Sequence, residues 1–422
     1  MTKQKSNAFT DIASFFLAIY YFWYELPFMR ITFSSERFKH IFFACFVAGV
    51  VSLCIARMIH RKMRIFISAR ISLLTPVLVY MAVLSVMYIF RTAEAASHIR
   101  VSFTFWGTLL VYCLFSFDRR AQIRFGQYLL SLFLLTVLTS VVAVVSDNSA
   151  ARAIANASQR TEAIARDYAL MRKNVSGIYL FQCMVIFAPV PVLMLRRQKK
   201  ALLGLTMLIF IFLAVFKASF TISLFVLVLV CAVAVVSNCK DSVKLLLPIF
   251  AVAVMLLPMD SMFSSLADII ENRYISTRFS EIAAFLNKRS IQGDLQLRLQ
   301  CYLYSLHTFV TNPFGIGPWY SYRIGEHGIG YHSALLDDMA RYGVFALAFY
   351  GTFLMKYCQM LQERWKKLGL GDAVLPMLFA WFMFLLLNIA FRSADESIFM
   401  LYILPILPDI LLRHHTETEG ST

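Results

Sequence analysis

Residues 201–237 read ALLGLTMLIFIFLAVFKASFTISLFVLVLVCAVAVVS: two apolar runs, 201–216 and 219–237, joined by the tight turn Lys217-Ala-Ser219. Lys217 is the only charged residue in the stretch. An apolar helix crosses the hydrocarbon core of a bilayer in about 20 residues. Two such runs back to back therefore read as an antiparallel pair whose solvent is lipid. The rest of the chain has the same character, with 59% hydrophobic and 15% charged residues, a balance that no soluble fold of this length can hide from water.

Applying one rule along the chain, roughly 15–22 apolar residues without interior charge, marks about twelve spans. They lie near 8–28, 41–57, 71–90, 100–117, 125–146, 175–195, 201–216, 219–237, 245–258, 343–358, 373–391 and 398–412. The expected fold class is all-α, a polytopic transmembrane helix bundle forming a single membrane domain over 1–422. Two longer excursions are expected on the extracytoplasmic side, an amphipathic loop at 147–174 and a large helical loop at 259–342. No small-residue cleavage site follows the first apolar run, so that run is expected to stay as a span.

Orientation follows from the cations. The connections Arg57–Arg70, Asp118–Arg124, Arg196–Lys200, Lys240–Lys244 and Glu363–Lys367 are short, basic and on one face if the spans alternate. That face is cytoplasmic by the positive-inside rule, and both termini fall on it. Arg30, Arg37 and Lys39 run against the rule on the outer side. The net charge of +16 is accounted for by topology and anionic lipid headgroups, without nucleic acid as a partner. Of the eight cysteines six lie in expected spans, and no CxxC or Cys/His metal spacing occurs, so neither a disulfide framework nor a bound metal is expected.

Holding charge in hydrocarbon is costly, so ionisable groups in or beside spans are the first functional candidates. Asp11 and Lys356 are near enough to span ends for their heads to reach the interface. Lys217, alone in an outward turn, reads equally as a snorkelling lysine or an anion-binding one. In the 147–174 loop, Ile154, Ala157, Thr161, Ile164, Tyr168 and Met171 share one helical face, as expected of a helix lying on the membrane surface.

The richest polar region is 290–345. A helical stretch Leu299–Thr311 is followed by the turn Asn312-Pro-Phe-Gly-Ile-Gly317, a Gly-rich segment to His332, and a second helical stretch from Ser333 to Gly343. Ser333 is placed to cap that second helix. His332 then stands at the positive helix end, which disfavours imidazolium and keeps the ring a proton acceptor. Asp337 and Arg341, four apart, share a face. By composition alone, a lone histidine beside Gly and Tyr is a structural loop residue more often than a base.

These elements together resemble the O-antigen polymerase and O-antigen ligase superfamily. The resemblance is carried by Arg298 with an aromatic four residues on, Tyr302, then Asn312-Pro-Phe-Gly-Ile-Gly317, then His332-Ser-Ala-Leu-Leu-Asp337 with Gly343 at the next span. Weaker matches are Asn174-Val-Ser-Gly177 and the turn at Lys217, where the family usually has Arg. The aromatic after Arg298 is commonly Trp in the family and is Tyr302 here. Firm motif coverage is about residues 290–350.

The resemblance implies glycosyl transfer from a polyprenyl-pyrophosphate-linked oligosaccharide in the bacterial inner membrane, with membrane lipids, a chain-length regulator and a flippase as partners. Pyrophosphate is already a good leaving group, so the chemistry needs no cofactor and no paired carboxylates. It needs cationic stabilisation of the leaving group, for which Arg298 and Lys217 come first, with Arg341 and Arg323 behind them. It also needs a base for the acceptor hydroxyl, His332 by family position. Asp337 is expected either to orient that histidine or to bind sugar, and Asn174, Asn312 and Tyr302 join the substrate-binding set. The spacing HSxxxDxxxxxG is nearer to the O-antigen, capsule and exopolysaccharide polymerases than to the ligases, which transfer the glycan to a lipid A core or a protein. A flippase or transporter is the competing class. Such proteins place ionisable groups near the bilayer midplane, often in two related halves, whereas this sequence suggests neither a midplane acid nor a repeat.

Overall fold

The computed structural model describes residues 2–59, 94–147, 169–195, 200–237, 259–270, 273–286, 294–317, 329–388 and 393–419, with positions 75, 79, 82 and 150. Most of the expected spans 71–90 and 245–258, the amphipathic residues 151–168, and Arg323 lie outside the described residues. Among the described residues every regular element is helical and none is a strand.

In chain order the helices are α1 (Thr2–Glu25), α2 (Pro27–Thr32), α3 (Glu36–Ile59), α4 (Glu94–Phe115), α5 (Arg119–Ser146), α6 (Ile178–Phe187) and α7 (Pro189–Leu195). They continue as α8 (Ala201–Lys217), α9 (Thr221–Ser237), α10 (Met259–Ile269), α11 (Arg273–Leu286) and α12 (Asp294–Thr311). The last are α13 (Ala334–Tyr342), α14 (Val344–Trp365), α15 (Val374–Leu387), α16 (Ala394–Ile398) and α17 (Leu404–Glu419). Among the described residues four stretches, Glu36–Ile59, Arg119–Ser146, Ile178–Leu195 and Val344–Leu368, are long and apolar enough to cross a membrane, and this is a membrane protein. Apolar helices Ala201–Lys217, Thr221–Ser237 and Gly371–Leu387 are shorter.

The side chains facing outward identify the solvent. On α8, Leu202, Leu203, Ile209, Phe210 and Leu213 are exposed, while Gly204, Ile211, Ala214 and Val215 are turned inward. A helix that shows its large apolar residues and hides its small ones is suited to lipid outside and close helix contact inside. The opposite case is the segment 394–408, buried at every position. After the polar residues Asp395, Glu396 and Ser397 at its start the segment is apolar all round, and such a helix belongs at the centre of its bundle.

Prolines perturb that central helix, and its neighbours repair it. Pro408 has no N–H for the carbonyl of Leu404, and Trp365 Nε1 donates to that carbonyl instead at 3.2 Å. Arg364 Nη1 donates to the Pro405 carbonyl at 3.0 Å. In the preceding π-helical turn, Phe399–Ile403, the Tyr357 hydroxyl donates to the Met400 carbonyl.

The two ends of the bundle differ in chemistry. At one end Arg119 and Arg364 both reach Asp409. Ser140 lies on the same helix as Arg119, about 30 Å further along its axis at 1.5 Å per residue. That separation matches the thickness of a hydrocarbon core. At this far end Ser140 Oγ accepts from the Ser176 amide at 2.9 Å, and here the candidate functional residues gather.

Candidate functional site

Helix α12 supplies one wall. Arg298, Tyr302 and Ser305 recur at spacings of four and three, hence on one face. Tyr302 is hydrogen-bonded to Arg298, and its hydroxyl donates to the Leu387 carbonyl at 2.7 Å. Burial pushes the Tyr302 phenol up, and the Arg298 guanidinium beside it pulls it back. Leu387 is the last residue of α15, so this bond ties the arginine-bearing helix to the bundle.

Helix α13 supplies the second wall. Ser333 caps it as expected, its Oγ accepting from the Leu336 amide at 3.1 Å, and the Ala334 amide donates to the Asn388 carbonyl at 2.9 Å. Its other end is closed by the turn Asn312–Gly317. Ile316 and Gly317 amides donate to the carbonyls of Ala340 and Arg341 at 3.0 and 2.9 Å, and the Val344 amide donates to the Pro313 carbonyl at 2.8 Å. All three glycines at this crossing have positive φ, +85° for Gly315, +87° for Gly317 and +60° for Gly343. A Cβ on Gly343 would stand 2.0 Å from the Pro313 carbonyl oxygen, so the Gly-rich motif is a backbone clasp. Asn312 spends its amide nitrogen on the Thr308 carbonyl and the Thr311 hydroxyl, at 3.3 and 3.1 Å, closing the end of α12.

Asp337 joins the two walls. Ser305 Oγ donates to its Oδ1 at 2.7 Å, and the Ser333 amide donates to its Oδ2 at 3.3 Å. Burial pushes the Asp337 carboxyl up to about 6, against the pull of Arg341 and the Ser305 hydroxyl. Arg341 makes its ion pair with Asp338, at 3.1 Å, three residues back and not with Asp337 four residues back. Asp338 also accepts from the Tyr350 hydroxyl at 2.6 Å. Arg341 is only 5% exposed and lies 5.3 Å from the centre of the Tyr331 ring. From there it braces the His332 loop and does not face outward. His332, half-buried, directly precedes the Ser333 cap.

Asn174 and Lys217 sit elsewhere at this end. Lys217 closes α8, followed by Ser219 at φ +61°. Asn174, also at positive φ, donates to Thr136 and Thr139 of α5. Two residues on, Ser176 Oγ donates to Asp395 Oδ2 at 2.5 Å. Asp395 starts a second acidic cluster absent from the expectations. Glu396 accepts from Trp381 Nε1 at 3.1 Å. Glu25, 0% exposed, interacts electrostatically with Asp395 and Arg30. Neither Glu25 oxygen, nor Asp395 Oδ1, has a hydrogen-bond partner among the described residues. The expectation of nearly charge-free spans is corrected here, because Glu25 falls inside the apolar run 8–28. An acid within an apolar run was the available signal.

A short stretch of chain links the two clusters. Asn388 holds α13, and Ser393, which caps α16, follows five residues later. Their Cα atoms are therefore at most about 18 Å apart.

No protein-family model matches this sequence, and no curated protein sequence is significantly similar to it.

Proposed function

We propose that the chain is a metal-independent glycosyltransferase of the bacterial inner membrane, a polysaccharide polymerase using a polyprenyl-pyrophosphate-linked donor. In this reading about twelve spans cross the bilayer, both termini are cytoplasmic and residues 259–342 face outward, where lipid-linked glycans are available but nucleotide sugars are not. A single observation carries the proposal. Arg298, Tyr302, Asn312–Gly317 and His332–Asp337, spread over some forty residues, are tied into one locus by the Ser305–Asp337, Tyr302–Leu387 and Gly317–Arg341 hydrogen bonds.

The chemistry balances with those groups. A hydroxyl of the acceptor sugar attacks the anomeric carbon, the new C–O bond forms as the bond to diphosphate breaks, and the hydroxyl proton passes to the His332 imidazole. Arg298 offers the leaving diphosphate a planar pair of donors. Asp337 acts behind the histidine.

The test uses purified protein with lipid-linked oligosaccharide alone. A ladder of longer lipid-linked products is expected, and no product until a core or protein acceptor is added would mean a ligase. His332→Ala is expected to abolish the ladder with membrane insertion intact; normal product length in that variant would remove His332 from the mechanism.

A second reading, translocation of a lipid-linked oligosaccharide, rests on Glu25 and Asp395, acids buried among helices, which lie toward the far end of the bundle and not at the midplane that transporters favour. It predicts that Glu25→Gln stops movement of a fluorescent lipid-linked sugar across proteoliposomes while His332→Ala does not.

A further inference from the structure

We propose that the consecutive acids Asp337 and Asp338 form a two-sided clamp on the backbone that carries His332, completed by Ser305 and Tyr350 as positioning residues. The assignment deepens the glycosyl-transfer reading and rests on it for its kinetic arm only.

Consecutive helical residues project about 100° apart at 3.6 residues per turn, so two adjacent acids on α13 address different sides of the loop in front of it. Asp337 takes the backbone amides around the histidine. The Ser333 amide, part of the peptide bond leaving His332, donates to Asp337 Oδ2 at 3.3 Å. The Ser305 hydroxyl donates to Asp337 Oδ1 at 2.7 Å and accepts from the Gly330 amide at 2.8 Å. One carboxylate thus fixes the amides on both flanks of the dipeptide Tyr331-His332. Ser305 is 0% exposed, and Gly330 lies so close to α12 that a Cβ there would be 2.2 Å from the Cys301 carbonyl oxygen.

Asp338 takes the side before the histidine. It holds Arg341 at 3.1 Å and is itself held by the Tyr350 hydroxyl at 2.6 Å. Arg341 in turn lies against the ring of Tyr331 at 5.3 Å. Tyr331 has φ +58°, a conformation that an aromatic L-residue keeps only where its surroundings over-determine it. The strained residue is the one immediately before the candidate base. A proton acceptor displaced by about 1 Å can lose two orders of magnitude in rate, which gives such bracing a purpose beyond stability.

Neither Ser305 nor Tyr350 belongs to the motifs, so their variants test the clamp without altering His332. Detergent-purified full-length protein is treated with diethyl pyrocarbonate, and modification of His332 is followed by mass spectrometry with exposed His40 as the internal reference. Ser305→Ala and Tyr350→Phe are each expected to raise the His332 rate several-fold, and to lower kcat for polymer formation about tenfold or more with KM little changed. Ser305→Thr, which keeps the hydroxyl, is expected to restore both. Equal His332 rates in wild type and both variants would overturn the clamp whatever the polymer assay gives. Raised rates in a protein whose wild type makes no polymer would keep the clamp and sink the glycosyl-transfer reading.

Discussion

The segments Ser333–Asp338 and Ser393–Glu396 are built alike: a serine caps a short helix, and two adjacent acids follow in its first turns. Burial is alike too, 4% exposure for Asp337 and 2% for Asp395. They differ in what the oxygens find. Both oxygens of Asp337 and both of Asp338 accept hydrogen bonds, from Ser305, Ser333, Arg341 and Tyr350. In the other cluster Asp395 Oδ1 and both Glu25 oxygens have no partner among the described residues. A buried acid surrounded by donors is part of the architecture, whereas one without them works against the fold and persists for some other reason.

The largest test of this contrast is Asp338→Ala. It strands the buried Arg341 guanidinium, and breaking a buried pair in this way costs about 3–5 kcal/mol. Thermal unfolding of the purified protein, followed by size-exclusion chromatography, is expected to shift down accordingly; an unchanged midpoint would mean that Arg341 has another acceptor.

Asp337→Asn comes next. Burial raises the folded carboxyl to about 6, above the unfolded value, so the folded state holds its proton longer. Stability from this group is therefore full below the unfolded pKa near 4 and is lost as pH rises through about 6, roughly 3 kcal/mol in all. The wild type is expected to lose more stability than the Asn variant between those pH values, and parallel pH profiles would contradict the assignment.

The smallest expected effect has the opposite sign. Glu25→Met removes an acid with no donor and is expected to stabilise by about 1 kcal/mol or more. A clear loss of stability would show that Glu25 does have a partner, and the two clusters would then be alike.

Much of the helical framework was legible because apolar runs obey a local rule. Runs at 201–216 and 219–237 became α8 and α9, and the run at 343–358 became the start of α14, which continues to Trp365. The Ser333 cap was legible for the same reason, since a cap acts three residues away. Arg298 and Tyr302 share their face as helical spacing requires. What escaped was long-range or ambiguous by one residue. Arg341 can reach back three or four positions, and only the Tyr350 hydroxyl and the fold decide for Asp338 over Asp337. Ser305 has no motif, and its role depends on Gly330, twenty-five residues away. Asp395 and Glu396 fall between the expected spans 373–391 and 398–412, and only packing reveals that they are enclosed. The clasp between Asn312–Gly317 and Gly343 was visible as glycine but not as a contact.

The buried axis, residues 394–408, leaves the ribosome after every helix it supports. Until it arrives, Trp365 and Tyr357 lack the carbonyls of Leu404 and Met400, and the earlier helices must wait in lipid around an unfilled groove. Insertion and packing are therefore expected as separate events, and ribosome stalling before residue 394 should yield a chain that is inserted in the membrane yet still open to proteolysis.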